Sequence, residues 1–142
     1  MATDQPTLHS ILDHDLIGFL TAVDLEGQPQ TSPVWFVRDG DDIVVYNKPD
    51  TPRLDSIAVN QKVALSLRGD RRANGAVLIE GVATREADLP PAKDFPGYLD
   101  KYAREIERFG WTPETFSSDY SAGIRITVTR TRAWGLDSLA PR

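Results

Sequence analysis

The chain contains no cysteine, and this absence removes several classes of chemistry. Without a thiol there is no disulfide, no thiolate nucleophile, no cysteine-ligated iron–sulfur cluster and no zinc–thiolate site. Histidine is scarce as well, with only His9 and His14 in the sequence. Their spacing does not place both on one face of a helix, as a metal-binding pair requires, so we expect both at the surface.

Excess positive charge and long apolar runs are also missing. The formal net charge is −5, whereas a general nucleic-acid binder needs a basic surface that displaces counterions from phosphates. No apolar run reaches the length of a membrane span, and the first residues have neither the basic nor the apolar part of an export signal. We therefore expect a cytoplasmic protein with no nucleic-acid or membrane partner.

The composition that remains is that of an ordinary globular protein, with 40% hydrophobic and 26% charged residues. The length predicts one domain over residues 1–142. Alternating apolar residues and turn signals predict six strands, at 18–23, 28–37, 43–47, 63–68, 76–85 and 123–128. Helical spacing predicts helices within 7–16, 53–59 and 88–120. The elements predict a mainly β fold with accessory helices, in which six antiparallel strands form a small barrel or a strongly curled sheet.

Two glycines mark special positions in this pattern. Gly81 interrupts a long strand and predicts a bulge or a close backbone approach. Gly110 follows an apolar helical stripe and predicts the end of that helix. The stripe consists of Tyr98, Tyr102, Ile106 and Phe109.

The most informative segment lies in the second strand and reads Thr31, Ser32, Pro33, Val34, Trp35. Proline cannot donate to a sheet ladder, so we expect something other than a neighbouring strand to face it. Backbone groups freed from the ladder can bond the edge of a heterocycle, and a flat apolar ring suits such a concave site. The alternative is an ordinary strand whose large residues pack in the core.

A second candidate site lies where the third strand leads through a polar turn into a helix. Hydroxyl, amide, ammonium and guanidinium donors converge there, and the helix N-terminus adds backbone N–H groups and partial positive charge. That set suits a phosphate. The alternative is a plain turn followed by a threonine N-cap. The donors are Tyr46, Asn47, Lys48, Thr51 and Arg53.

Two further clusters are weaker candidates. Arg68, Arg71 and Arg72 form a basic edge that could hold the anionic tail of a ligand, although loop arginines are usually only solvated. The acidic turn at 39–42 lacks the spaced ligands of a calcium loop and sits where a hairpin turn is needed. We interpret it as a solvated turn.

Taken in order along the chain, the motifs resemble the pyridoxamine-phosphate-oxidase-like split β-barrels, and within them the actinobacterial flavin/deazaflavin oxidoreductases of the B group. The matching features cover 18–136, almost the whole chain. They are Gly18-Phe19-Leu20-Thr21, Gly27-Gln28-Pro29, Pro33-Val34-Trp35-Phe36 with Asp39-Gly40, Thr51-Pro52-Arg53, residues 60–63, Glu80-Gly81-Val82-Ala83 and Trp134-Gly135-Leu136.

This resemblance implies a homodimer with two cofactor sites at the subunit interface. The isoalloxazine-type ring would lie against Thr31–Trp35 and the phosphate would sit beside the polar turn, with Leu54 also at the site. Arg72 and Trp134 would complete the site from the partner chain.

Departures from the family pattern narrow the expected cofactor. True pyridoxamine phosphate oxidases pair two basic residues at the start of the short helix, whereas this chain has Pro52 before Arg53. It also lacks their terminal arginine and histidine for the substrate phosphate. The resemblance therefore favours an oxidoreductase dependent on the deazaflavin coenzyme F-420, which transfers hydride to an electron-poor conjugated small molecule.

An enzyme that uses flavin mononucleotide (FMN) is the first alternative. A non-catalytic protein that binds a flavin, a deazaflavin or haem is the second, since fold alone does not fix function. The sequence assigns no catalytic side chain, because the reactive atom would belong to the cofactor.

Overall fold

The structure is a computed structural model that describes residues 7–68 and 75–134. The strands are β1 (Gly18–Val23), β2 (Pro29–Val34), β3 (Val37–Asp39), β4 (Asp42–Asn47), β5 (Lys62–Leu67), β6 (Ala76–Arg85) and β7 (Ala122–Trp134). The helices are α1 (Leu8–His14), α2 (Pro52–Val59), α3 (Tyr98–Arg108) and α4 (Pro113–Asp119), with a short 3-10 helix at Ala92–Asp94.

The strands of the described residues form one antiparallel sheet with the order β2-β1-β5-β6-β7-β4-β3. β2 and β3 are consecutive in the chain yet lie at opposite edges of this sheet, joined only by Trp35 and Phe36. The sheet must therefore curl so that its two edges come together, and the opening between them is where the barrel is split.

The prediction of six strands was wrong by one, because the predicted strand at 28–37 is broken into β2 and β3. The break has a clear cause at Phe36, whose backbone N–H donates to the hydroxyl of Tyr102 at 3.0 Å. The carbonyl of Phe36 accepts from the same hydroxyl at 3.1 Å and from Lys101 Nζ at 2.8 Å. Both backbone groups are thus satisfied by side chains of α3 and do not join a strand ladder.

Two apolar clusters hold the fold together, one on each face of the sheet. Side chains of β4 alternate between them, as the period of a strand requires. Ile43 and Val45 enter the first cluster, which also packs α1 and α2. Val44 and Tyr46 enter the second, which packs α3 and α4 against the outer face. All four are buried, so β4 is covered on both faces.

The two predicted glycine features are confirmed. The register of β6 against β7 shifts between Glu80 and Gly81, as a bulge does. A Cβ at Gly81 would lie 2.7 Å from the backbone oxygen of Thr127, so only glycine fits that crossing. Gly110 has a φ of +76° and ends α3.

None of the helices within 7–68 and 75–134 is long and apolar enough to cross a membrane.

Candidate functional site

A cavity of about 540 Å³ opens beside the free edge of β2, within the size range of small-molecule sites. One wall is β2 with its connection to β3, the floor is the end of β4 with the turn into α2, and the other wall comes from the ends of α3 and α4. Its lining residues are Ser32, Pro33, Val34, Trp35, Tyr46, Asn47, Lys48, Thr51, Arg53, Phe109, Trp111, Phe116 and Tyr120.

Arg53 is the centre of the polar end of the cavity. Its guanidinium donates to Oδ1 of Asn47 and to Oγ of Ser32, both neutral acceptors. Burial lowers the pKa of Arg53 from its usual value, but an arginine stays charged at any physiological pH. Among the described residues no carboxylate forms an ion pair with it. A fixed and uncompensated positive charge therefore faces this end of the cavity.

Asn47 fixes the orientation of that guanidinium. The side chain is 2% exposed, and its Nδ2 donates to the carbonyls of Val45 and Ala122 at 3.2 and 3.0 Å. These bonds leave Oδ1 as the atom that accepts from Arg53. Because the Asn47 amide is already held in this orientation, binding of a ligand requires little rearrangement of it.

Lys48 and Thr51 add donors to the same end. Thr51 occupies the N-cap position of α2, as the alternative interpretation of the turn expected, but its side chain makes no capping hydrogen bond. Lys48 is exposed, with Nζ 5.6 Å from the ring centroid of Tyr120. The α2 N-terminus contributes partial positive charge beside them. The whole end is suited to a phosphate or another anion.

Much of the remaining cavity lining is aromatic. Trp35 stacks between Tyr102, with ring centroids 4.7 Å apart, and Phe116, with centroids 5.3 Å apart. Trp111 lies 4.9 Å from Phe109. Phe116 also stacks on Tyr120 at 4.6 Å. These rings form a continuous apolar wall along which a flat molecule can lie.

Most of the residues that the sequence analysis selected do meet in this cavity. Nine of them line it, namely Ser32, Pro33, Val34, Trp35, Tyr46, Asn47, Lys48, Thr51 and Arg53. Pro33 pairs with Phe19 of β1 on one side, while its other side is the open sheet edge. The expectation that something other than a neighbouring strand faces this segment is therefore wrong for the side of Pro33 that pairs with β1, and it stays a prediction for the open edge.

Three of the selected residues do not line the cavity, and a fourth lies outside the described residues. Thr31 hydrogen-bonds the hydroxyl of Thr21 at 2.7 Å on the far face of β2. Leu54 is buried in the first apolar cluster. Trp134 ends β7 and is 46% exposed. Arg72, like the rest of the predicted basic loop at 69–74, lies outside the described residues.

Sequence reasoning missed the aromatic wall between α3 and the start of β7. Four of the lining side chains fall within residues 109–120, where the sequence has an unusual density of rings around Gly110 and Pro113. That density was the available signal. The missed residues are Phe109, Trp111, Phe116 and Tyr120.

No aspartate, glutamate or histidine of the described residues lines the cavity. The usual general bases are thus absent from its described wall. What this arrangement can do is bind a flat molecule that carries an anionic group and hold it against an apolar surface.

Solved structures with the same fold span a range of proteins. An F-420 reductase is 20% identical with a TM-score of 0.64, and the match covers 92% of this chain and 98% of that one. A conserved hypothetical protein from Mycobacterium tuberculosis is 20% identical with a TM-score of 0.69, over 95% and 89%. The haem storage protein HutZ from Vibrio cholerae is 19% identical with a TM-score of 0.62, over 89% and 91%. At these identities the likeness shows the fold alone.

No curated protein sequence matches the chain. The family model described as pyridoxamine 5′-phosphate oxidase matches residues 5–135, which is nearly the whole sequence. The match includes every strand of the sheet and every side chain that lines the cavity. The chain therefore belongs to the pyridoxamine 5′-phosphate oxidase family, whose members share this split-barrel fold.

Proposed function

We propose that the protein is an oxidoreductase that uses the deazaflavin coenzyme F-420 to reduce an electron-poor conjugated small molecule. The observation that carries the proposal is the Arg53 guanidinium, held by Asn47 and Ser32 without a carboxylate partner among the described residues. It belongs to a cavity whose lining also contains a wall of stacked rings. A coenzyme with a phosphate and a flat ring system has the complementary distribution of charge and apolar surface.

The residues present fit such a coenzyme. Arg53, Lys48 and Thr51 would hold its phosphate, and the open edge of β2 from Ser32 to Trp35 would lie along its ring. When bound, the coenzyme supplies a hydride. The chain's contribution is to bind both reactants, to orient them and to exclude water with its aromatic wall.

The described cavity wall has no acidic or histidine side chain, which agrees with a reaction in which the coenzyme supplies the hydride and the protein binds and orients the reactants. A hydride carrier needs alignment of two reactants more than it needs a protein nucleophile. We therefore assign no catalytic side chain.

FMN is the second candidate coenzyme. Its phosphate would use the same end of the cavity, but Pro52 stands where the resemblance expects a first basic residue, and it occupies the first turn of α2 with no side-chain donor. This leaves Arg53 as the one basic residue in that turn. With fewer basic side chains to bind the FMN phosphate, this site favours the deazaflavin over FMN.

Haem storage has a structural precedent in HutZ, yet the described cavity wall fits haem less well. Haem iron is commonly held by histidine, cysteine, methionine or tyrosine. Both histidines of this chain lie on α1, it has no cysteine, and its one methionine is Met1. Tyr46 and Tyr120 remain as the lining side chains that could ligate iron.

We further propose that the cofactor sites lie at the interface of a homodimer. The cavity is open along the β2 edge, and a second copy would cover it. Arg72 and Trp134 would then reach the site from the partner chain, since Trp134 does not line the cavity of its own chain. Sedimentation equilibrium with and without coenzyme measures the oligomeric state, and a monomer under both conditions would refute the proposal.

A fluorescence titration of the purified protein with the deazaflavin coenzyme, and in parallel with FMN, tests the proposed cofactor. We expect the deazaflavin to bind more tightly. Arg53→Ala should weaken its binding by about tenfold or more, because a charge-assisted hydrogen bond contributes about 1.5–3 kcal/mol. Arg85→Ala, at the exposed end of β6, removes the same charge and serves as the matched control. Unchanged affinity in Arg53→Ala would refute the phosphate site, and a preference for FMN would move the protein to the flavin class.

A further inference from the structure

Phe109 is a large apolar side chain that the fold leaves in solvent. It is 63% exposed, although it lines the mouth of the cavity and stacks on Trp111 with ring centroids 4.9 Å apart and planes 19° apart. Trp111 is itself only partly buried and lies 6.2 Å from Trp35. The pair therefore extends the aromatic wall from Trp35 toward solvent.

A rigid helix end presents this pair. The N–H of Gly110 donates to the carbonyl of Glu107 at 2.9 Å, and the N–H of Trp111 donates to the carbonyl of Ile106 at 3.1 Å. These are the two bonds of a Schellman motif, which fixes the chain direction after α3. The motif requires glycine at the left-handed position, but it requires no ring at Phe109. The exposure of that ring is thus not explained by the folding of the turn.

We propose that Phe109 and Trp111 form a platform on which the second reactant stacks, and that this reactant is a flat, uncharged, electron-poor aromatic molecule. The proposal rests on the proposed function, in which the coenzyme occupies the cationic end and the β2 edge. Stacking on the platform would place the acceptor beside Trp35.

The chemistry of the platform selects this class of ligand. An indole is electron-rich, and offset stacking with an electron-poor ring is favourable in addition to the apolar area that it buries. The charged neighbour of Phe109, Arg108, is paired with Glu105 at 3.1 Å and belongs to the exposed side of α3. Lys48 stands at the other side of the wall, over Tyr120. The described platform therefore offers stacking area to an uncharged ring but no ion pair to a charged one.

Equilibrium dialysis of 1-nitronaphthalene against the full chain, with and without oxidised deazaflavin coenzyme, tests the platform. Phe109→Leu keeps an apolar side chain but removes the ring, and Phe109→Trp keeps a ring. Leu25→Ala serves as the control, because Leu25 is 66% exposed at the turn after β1 and does not line the cavity. Thermal unfolding and the coenzyme dissociation constant are measured for each variant.

We expect Phe109→Leu to weaken binding of the probe by about threefold to tenfold, the range that an aromatic pair contributes. Phe109→Trp and Leu25→Ala should stay within about twofold of the parent in probe affinity, and Leu25→Ala should leave the coenzyme dissociation constant unchanged, because Leu25 does not line the cavity. A loss of coenzyme affinity in Phe109→Leu as large as its loss of probe affinity would overturn the platform, because Phe109 would then be a coenzyme contact. Equal affinity of parent and Phe109→Leu would overturn the platform. A change in oligomeric state in Phe109→Leu would also overturn it, because Phe109 would then be a subunit contact.

The two proposals fail separately. Coenzyme binding with a probe affinity that does not depend on Phe109 would remove the platform and leave the proposed cofactor intact. If the protein binds no deazaflavin but its affinity for the probe depends on Phe109, the aromatic-binding site stands and the proposed cofactor is refuted.

Discussion

The indole of Trp35 lies nearly parallel to the ring of Tyr102, with the centroids 4.7 Å apart and the planes inclined by 8°. The hydroxyl of the same tyrosine accepts from the N–H of Phe36 at 3.0 Å and lies 2.7 Å from the carbonyl of Leu16. The Tyr102 side chain therefore fixes both the position of the Trp35 ring and the backbone conformation at Phe36 in the cavity wall. The break between β2 and β3 and the position of Trp35 have the same cause.

Replacement of Tyr102 by phenylalanine should keep the stacked ring and remove the hydroxyl. The buried N–H of Phe36 would then lack its partner, which costs about 1–3 kcal/mol of unfolding free energy. Urea unfolding measures the loss. Tyr98→Phe is the matched control, because Tyr98 is a buried ring on the same helix whose hydroxyl makes no hydrogen bond with the described residues. Equal losses in the two variants would contradict the role given to the Tyr102 hydroxyl.

Gly81→Ala should destabilise the sheet at its bulge. The new Cβ would lie 2.6 Å from Cγ2 of Ile126 and 2.7 Å from the backbone oxygen of Thr127, which is fixed in the β7 ladder. Forcing such an overlap costs about 1–3 kcal/mol or more. In Gly18→Ala the nearest atom, at 2.7 Å, is instead the side-chain end of Leu65, which can rotate. Chemical denaturation should therefore show a smaller loss for Gly18→Ala, and the reverse order would contradict this account of the bulge.

Local signals in the sequence were enough for the elements whose hydrogen bonds are local. The bounds of β1 and β6 agree with the structure, as does Pro52 in the first turn of α2. α1 lies within the helix predicted at 7–16, and Thr7 caps it by accepting from the N–H of Ser10. The cap and the proline act within a few residues of the helix starts, and the two strands were predicted from apolar alternation and turn signals, although β6 pairs with the distant β7.

Long-range contacts account for what the sequence could not predict. The strand at 28–37 reads as continuous because its break depends on Tyr102, more than sixty residues away. The polar end of the cavity was predicted because its donors are close together in the sequence. The aromatic wall was missed because Phe109 and Tyr120 meet β2 only through the packing of α3 and α4 on the outer face of the sheet.

The buried amine of Lys101 predicts how stability changes with pH. Nζ donates to the carbonyls of Leu12 and Phe36, each at 2.8 Å, and lies 3.7 Å from the ring centroid of Phe36. Burial lowers the pKa of Lys101 to about 7, against the opposing effect of Asp13 and Asp15. Between this pH and about 10 the unfolded chain binds more protons than the folded one, so the free energy of unfolding should rise with pH.

The slope of that rise should approach about 1.4 kcal/mol per pH unit in the parent protein. In Lys101→Met no amine titrates at this position, so the slope should largely disappear. Urea unfolding gives the free energy of unfolding of the parent and of Lys101→Met as a function of pH. The measurements run from about pH 6 to about pH 10, roughly the interval over which the amine changes charge. Parallel curves would show that Lys101 does not titrate in this range.

Asn47→Asp tests whether the charge of Arg53 is truly uncompensated. The variant keeps an oxygen facing the guanidinium but adds a negative charge, so Arg53 would gain the partner that the described residues do not provide. An anionic group entering the cavity would then compete with an internal carboxylate, and the affinity for the deazaflavin coenzyme should fall by about tenfold or more. Asn60→Asp makes the same change of charge at the exposed C-cap of α2 and should leave the affinity unchanged. The comparison removes the effect of net charge, but Asn47→Asp also loses the Nδ2 hydrogen bonds to Val45 and Ala122, so its thermal unfolding is measured as well. A loss of affinity counts as a charge effect only where the variant stays folded at the titration temperature. If both bind the coenzyme as the parent does, the phosphate of the ligand does not lie beside Arg53.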